Sequence, residues 1–169
     1  MKAIVCAEYG SPDVLKLKDV EKPTPRAAEV LVKIHAASAA AGDWHLMRAD
    51  PFAARFMYGL FKPKYQILGA DVAGRVEAVG KNVTQFQPGD AVFGDLSGSG
   101  FGGFAEYVAA PEKSLAPKPA RLSFDEAAAV PVSALTARAL RLDPERVASG
   151  QLSYSPLLLG LALSATAPP

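Results

Sequence analysis

Few side chains in this sequence can do chemistry. His35, His45, Cys6, Asp43 in Gly42-Asp43-Trp44-His45 and Asp71 in Gly69-Ala70-Asp71-Val72 are the polar candidates. Gly98-Ser99-Gly100-Phe101-Gly102-Gly103 fits the dinucleotide pattern G-x-G-x-x-G letter for letter. That pattern works only where a helix follows at once, because the unpaired N–H groups at the helix N-terminus hold the pyrophosphate. Phe104 to Pro111 reads as a strand, so the match is rejected. The glycines are read instead as a flexible hairpin loop with Phe101 at a pocket rim. Phe52, Phe56, Tyr58, Phe61 and Tyr65, between Asp50 and Gln66, offer apolar rings that could line a pocket, although packing against the body of the domain is the simpler reading. Cys6, the sole cysteine, reads as a small buried hydrophobe.

These residues need a scaffold, and hydrophobic alternation supplies one. Lys2 to Glu8, Leu15 to Val20, Glu29 to Ala37, Val72 to Val79 and Asp90 to Gly94 read as strands. In the fourth, Val72, Gly74, Val76 and Ala78 share one face of a half-buried strand. Gln87-Pro88-Gly89-Asp90 suits a type II turn, with proline presetting φ at the second position and glycine accepting positive φ at the third. A short helix is expected near Asp43. Ser123-Phe124-Asp125-Glu126 is a capping box that starts a helix at Phe124; Pro131 interrupts it, and Ser133 to Leu142 reads as a second helix carrying Thr136.

Gly69-Ala-Asp-Val-Ala-Gly-Arg-Val-Glu-Ala-Val-Gly80 and Pro88-Gly-Asp-Ala-Val-Phe-Gly94, with Met1-Lys-Ala-Ile-Val5 before them and Ala127-Ala-Ala-Val-Pro-Val-Ser-Ala-Leu-Thr-Ala137 after, resemble the N-terminal GroES-like domain of the medium-chain dehydrogenase/reductases, in their zinc-free, quinone-oxidoreductase-like branch. The resemblance implies a mainly β fold, a partly open barrel of two packed sheets with short helices. It also implies a division into 1–122 as the GroES-like domain, 123–142 as the helical passage to a nucleotide-binding Rossmann domain, and 143–169 as a divergent apolar tail.

Zinc-using members of that family place cysteine, histidine and cysteine where this sequence has Ala40, Ala70 and Val132, none of which can give an electron pair to a metal. No zinc is therefore expected. His45 matches the end of a proton relay whose feeding hydroxyl is replaced by Gly42, so it reads as a surface histidine; His35 reads as structural. The resemblance implies that Asp43 and Asp71 brace backbone turns, with pocket polarity as the alternative. Asp43, Trp44, Phe52, Tyr58, Phe93 and Phe101 are the candidates for a substrate pocket. Thr136 matches a threonine that touches the nicotinamide, whereas alanine at position 40 removes a polar contact near its ribose. NADP(H) is the implied cofactor, although binding by this chain alone is not expected.

The family pattern stops after Gly150-Gln151, and no charged residue follows Ala148. A frameshifted or truncated reading frame and a genuine short protein are both open readings. Leu157 to Leu163 is apolar but too short to span a bilayer, and offers a surface for self-association. With 18 basic and 17 acidic residues among 169, and no basic run, neither nucleic acid nor membrane is an expected partner, and the cytoplasm is the default location. The implied function is the substrate-binding part of a zinc-independent NAD(P)H-dependent oxidoreductase, acting on a quinone, enone or apolar carbonyl compound and inactive alone. The alternative is a stand-alone, non-catalytic GroES-like module that binds a small ligand or a protein.

Overall fold

A computed structural model describes residues 1–132. The first two strands, β1 (Lys2–Cys6) and β2 (Leu15–Asp19), pair antiparallel around a 3-10 turn at Pro12–Val14. The remaining strands, β3 (Glu29–Ala37), β4 (Asp71–Val79), β5 (Ala91–Asp95), β6 (Tyr107–Pro111) and β7 (Leu115–Pro117), form one antiparallel sheet in the order β6-β3-β4-β5-β7. Both sheets are open, and no closed barrel forms among the described residues. Among the described residues the helices that accompany the sheets are α1 (Ala41–Arg48), α2 (Ala54–Tyr58) and α3 (Phe124–Ala128).

Alternation explains the core. Val30 and Val32 of β3, Val72 and Val76 of β4 and Val92 of β5 turn to the same side and bury their branched side chains together with Leu96. The expectation of a half-buried β4 holds only beyond Gly74. From Asp71 to Gly74 the strand is buried on both faces, because α3 lays Ala127 and Ala128 against Ala73. The Gln87–Asp90 turn forms as expected, with Gly89 at φ 98° and the Asp90 N–H donating to Gln87 O at 3.2 Å. The capping box also forms: Ser123 Oγ accepts from Glu126 N at 3.1 Å, and the Glu126 carboxylate accepts from Ser123 N at 2.8 Å.

The glycine loop requires a correction. It is no hairpin, since β3 and β4 lie between β5 and β6 in the sheet, and the connection must cross them. Nor is its backbone left loose. Phe101 N–H donates to Leu96 O, Gly103 N–H to Gly69 O and Phe104 N–H to Leu68 O, at 2.9–3.0 Å. Phe104 O then accepts from Ile4 N, Glu106 N–H donates to Lys2 O, and Glu106 O accepts from Ile34 N, so this stretch stitches β1 to β3. Where the crossing backbone is covered, at Phe101 and Gly103, its N–H groups need partners, and Leu96 O and Gly69 O supply them.

The segment after α1 also departs from expectation. It contains α2, and Phe52, Phe56 and Phe61 stand exposed on it instead of packing on the sheets. Pro131 and Val132 begin another helical turn. The expected helix from Ser133 to Leu142, Thr136 and the apolar run Leu157 to Leu163 lie outside the described residues.

Candidate functional site

Three stretches distant in sequence meet beside the start of β4: Ser38 to Asp43, Gly69 to Asp71, and Pro131-Val132. Two buried carboxylates join them. At position 40 alanine has no oxygen to cap α1, so the helix start is served from within, by Asp43 Oδ2 accepting the Ala40 N–H at 2.9 Å. Asp43 Oδ1 accepts the Gly69 N–H, also at 2.9 Å. Gly69 sits at φ 92°, and a Cβ there would come within 2.7 Å of the Phe104 ring, so the close approach needs glycine.

Asp71 makes the second joint. Its Oδ1 accepts the Val132 N–H at 2.9 Å, its Oδ2 accepts the Ser38 hydroxyl at 3.2 Å, and its backbone oxygen accepts the Ser38 N–H at 3.1 Å. Between the two aspartates, Ala70 O accepts from Leu96 N at 2.8 Å. Ala40, Ala70 and Val132 are thereby tied into one junction by backbone hydrogen bonds to or beside Asp43 and Asp71.

Asp43 is 6% exposed and Asp71 3%, and among the described residues neither forms an ion pair. Burial pushes the Asp43 carboxyl above its ordinary range, opposed by the N–H groups of Ala40, Gly69 and Asp43 itself. For Asp71 burial is again the main cause and raises the pKa to about 6, against the Val132 N–H and the Ser38 hydroxyl; the charges of Asp95, opposite it on β5, and of Asp43 add to the rise. Such groups brace three backbone segments with neutral donors. Alanine, alanine and valine side chains carry no lone pair, so the junction does not fit a zinc ion, and no step is routed through one.

The six pocket candidates do not converge. Asp43 has both oxygens turned to backbone donors. Phe93 packs with Ala73, Ala127 and Phe124 beneath α3. Tyr58 and Phe101 do meet, at 6.3 Å between ring centroids, and Tyr65 joins them 5.4 Å from Phe101. Phe101 itself is buried, with φ 64°, beneath those rings and not at a rim. Trp44 and Phe52 are exposed, with the Arg48 guanidinium 4.7 Å from the Trp44 ring centre and Arg55 5.1 Å from that of Phe52. Beside Tyr65 an open groove of about 530 Å³ runs along Ile67, Gly100 and Gly102, with Lys18 and Lys64 on its walls.

Both histidines have structural surroundings. His45 Nδ1 lies 2.7 Å from Asp50 O, which makes it less of a free surface group than its sequence suggested. His35 is the extra residue of a bulge in β3 and stacks on Phe124 at 4.4 Å. Ser38 was not singled out by sequence, its signal being its place at the end of a strand; Gly69 stood in the Gly69-Ala70-Asp71 motif, but its contact with Asp43 was not foreseen.

Residues 26–120 match the family described as alcohol dehydrogenase GroES-like domain. The human quinone oxidoreductase is 35% identical over 141 residues, covering 81% of this chain and 39% of that protein. The 2-methylene-furan-3-one reductase of Solanum lycopersicum is 40% identical over 148 residues, covering 81% and 36%. Among solved structures, the quinone oxidoreductase from Coxiella burnetii superposes with a TM-score of 0.73 at 35% identity, over 83% of this chain and 44% of that one. A mycobacterial protein complexed with NADPH gives 0.70 at 31%, over 83% and 40%. The chain thus spans about two-fifths of the length of these curated relatives.

Proposed function

The chain belongs to the alcohol dehydrogenase GroES-like domain family, within the medium-chain dehydrogenase/reductase oxidoreductases, and from that premise we propose that it forms the substrate side of an NAD(P)H-dependent oxidoreductase that works without zinc on a quinone, an enone or a related carbonyl compound. The observation that carries this reading is the junction itself. Ala40, Ala70 and Val132 are drawn together by Asp43 and Asp71, yet present only apolar side chains. Polarisation of a substrate oxygen then falls to hydrogen-bond donors, and rate enhancement to the positioning of the acceptor carbon.

In this reading residues 1–122 are the substrate domain, 123–142 lead to the nucleotide-binding part, and 143–169 are a divergent tail. The Tyr58 and Tyr65 rings, both resting on the buried Phe101, are the best supported apolar wall for a planar substrate. The G-x-G-x-x-G run leads to β6 and no helix, so it does not fit the phosphates of a dinucleotide, and no hydride step is routed through it. NADP(H) is assigned to residues beyond the described ones, with Thr136 the proposed nicotinamide contact.

The test joins residues 1–150 to the nucleotide-binding part of the human quinone oxidoreductase and follows NADPH oxidation with a quinone and with an enone, with and without a chelator. The chain alone is expected to give no turnover, and the chimera a chelator-insensitive reduction. A chimera that binds NADPH yet reduces neither acceptor, or one silenced by chelation, overturns the proposal.

A further inference from the structure

Two helix starts follow one another near the end of the described residues, and only the first carries its own cap. At α3 the Ser123 Oγ accepts from Glu126 N, and the Glu126 carboxylate accepts from Ser123 N. The next helical turn opens at Pro131, after Ala127-Ala128-Ala129-Val130, where no side chain offers an oxygen or nitrogen. The Ala129 and Val130 N–H groups still reach back to Glu126 O at 3.2 Å and Ala127 O at 3.4 Å. Pro131 has no N–H to place. Val132 N–H is therefore the first donor of the new turn, and it meets Asp71 Oδ1 at 2.9 Å, a carboxylate 61 residues earlier in the chain.

That carboxylate is itself held from several directions. Asp71 opens β4 and pairs with Asp95 of β5, its backbone oxygen takes the Ser38 N–H, and its Oδ2 takes the Ser38 hydroxyl. Apolar contact also draws the stretch after α3 inward, since Ala127 and Ala128 lie on Ala73 and Pro131 is buried. Such contact has no direction, so it sets how deep the stretch sits and not how it is turned. A hydrogen bond weakens steeply when bent, and a buried acceptor deprived of its donor is costly. The orientation of the turn is thus left to the bond between Asp71 and Val132.

We infer that Asp71 is a positioning residue: by capping the turn at Pro131 from the start of β4, it sets the direction in which the chain leaves the sheet after α3. The consequence for catalysis rests on the oxidoreductase reading, in which residues 123–142 lead to the nucleotide-binding part and Thr136, four residues beyond Val132, meets the nicotinamide. There Asp71 acts through the passage and touches neither substrate nor cofactor. The placement itself does not depend on that reading, and its readout involves no turnover, so the two fail separately.

Amide proton resonances of the isotopically labelled full chain test it. In the unaltered chain the Val132 amide proton is expected to shift with pH around a midpoint of about 6, following the Asp71 carboxyl, which the charges of Asp95 and Asp43 also face. Asp71→Asn keeps an acceptor for Val132 N–H; it should abolish the titration yet leave hydrogen exchange at Val132 within about threefold of the unaltered chain. Asp71→Leu fills the site without an acceptor. It should speed exchange at Val132 at least about tenfold, while the Val30 and Val32 amides of β3 change by less than about threefold. A Val132 amide that ignores pH overturns the inference, as does exchange untouched by Asp71→Leu, which would leave placement to the packing of α3. So does an Asp71→Asn variant that exchanges as fast as Asp71→Leu, since charge and not an acceptor would then be responsible. Should Asp71→Leu fail to fold, the titration and the Asp71→Asn exchange decide by themselves.

Discussion

The junction around Asp43 and Asp71 buries charge, whereas the segment from Phe52 to Phe61 exposes apolar rings. At the junction all four carboxylate oxygens accept a hydrogen bond from a backbone N–H or a hydroxyl, which lets two acids remain inside without a cation. Along the aromatic segment the backbone also finds hydrogen bonds, but Phe52, Phe56 and Phe61 stay exposed while Tyr58 packs on Phe101. The contrast separates two outcomes of a hydrogen-bonded backbone: one closes the molecule on itself, the other leaves large apolar side chains in water.

The largest expected effect would sharpen this contrast through pH. With its folded pKa near 6 and an unfolded value near 4, Asp71 binds more protons folded than unfolded across that interval. Stability should therefore fall as pH rises from about 4 to about 6 and then level, by up to about 3 kcal/mol from this group. Asp71→Asn keeps an oxygen for Val132 N–H and can donate to Ser38 Oγ. Denaturant titrations across this range should show a flatter profile for the variant, and at pH 7.5 a stability no lower than that of the unaltered chain.

Asp43 should behave differently on the same substitution. Both of its oxygens face N–H groups, and an amide nitrogen cannot accept from either. Asp43→Asn is expected to cost about 2 kcal/mol at pH 7.5, where the carboxylate is charged, by leaving a buried donor unpaired. If its loss matched that of Asp71→Asn, the distinction drawn between the two braces would fail. Ser38→Ala, removing one donor from Asp71, should cost about 1 kcal/mol and move the pH transition upward, as read from the same titrations. Smallest of all, Phe56→Ser/Phe61→Ser should change unfolding free energy by no more than about 0.5 kcal/mol, since neither ring is buried. A larger loss would mean that the segment contributes to the core after all.

Much of the scaffold was legible from residue order. Alternation located β3 over Glu29–Ala37, the Pro88-Gly89 pair its turn, and Ser123 with Glu126 the start of α3, because each depends on neighbours in the chain. The bracing role read for Asp43 and Asp71 agrees with their hydrogen bonds, but their partners were not readable. Val132 lies 61 residues beyond Asp71, and no local pattern announces that its N–H will need an acceptor. The crossing of the 96–106 loop was misjudged for a related reason: short glycine-rich links most often join adjacent strands, and only the full strand order shows that β5 and β6 are apart.

By itself, the sequence determined the local elements, the family resemblance and the donor-free residues at positions 40, 70 and 132, since these depend on side-chain identity and spacing. Tertiary structure alone decided that Phe101 would be buried while Phe61 stood in water, and that two aspartates would do without cations. Exposure and pKa depend on which distant segments arrive to cover a group or to donate to it, and that is settled only when the strands have taken their places.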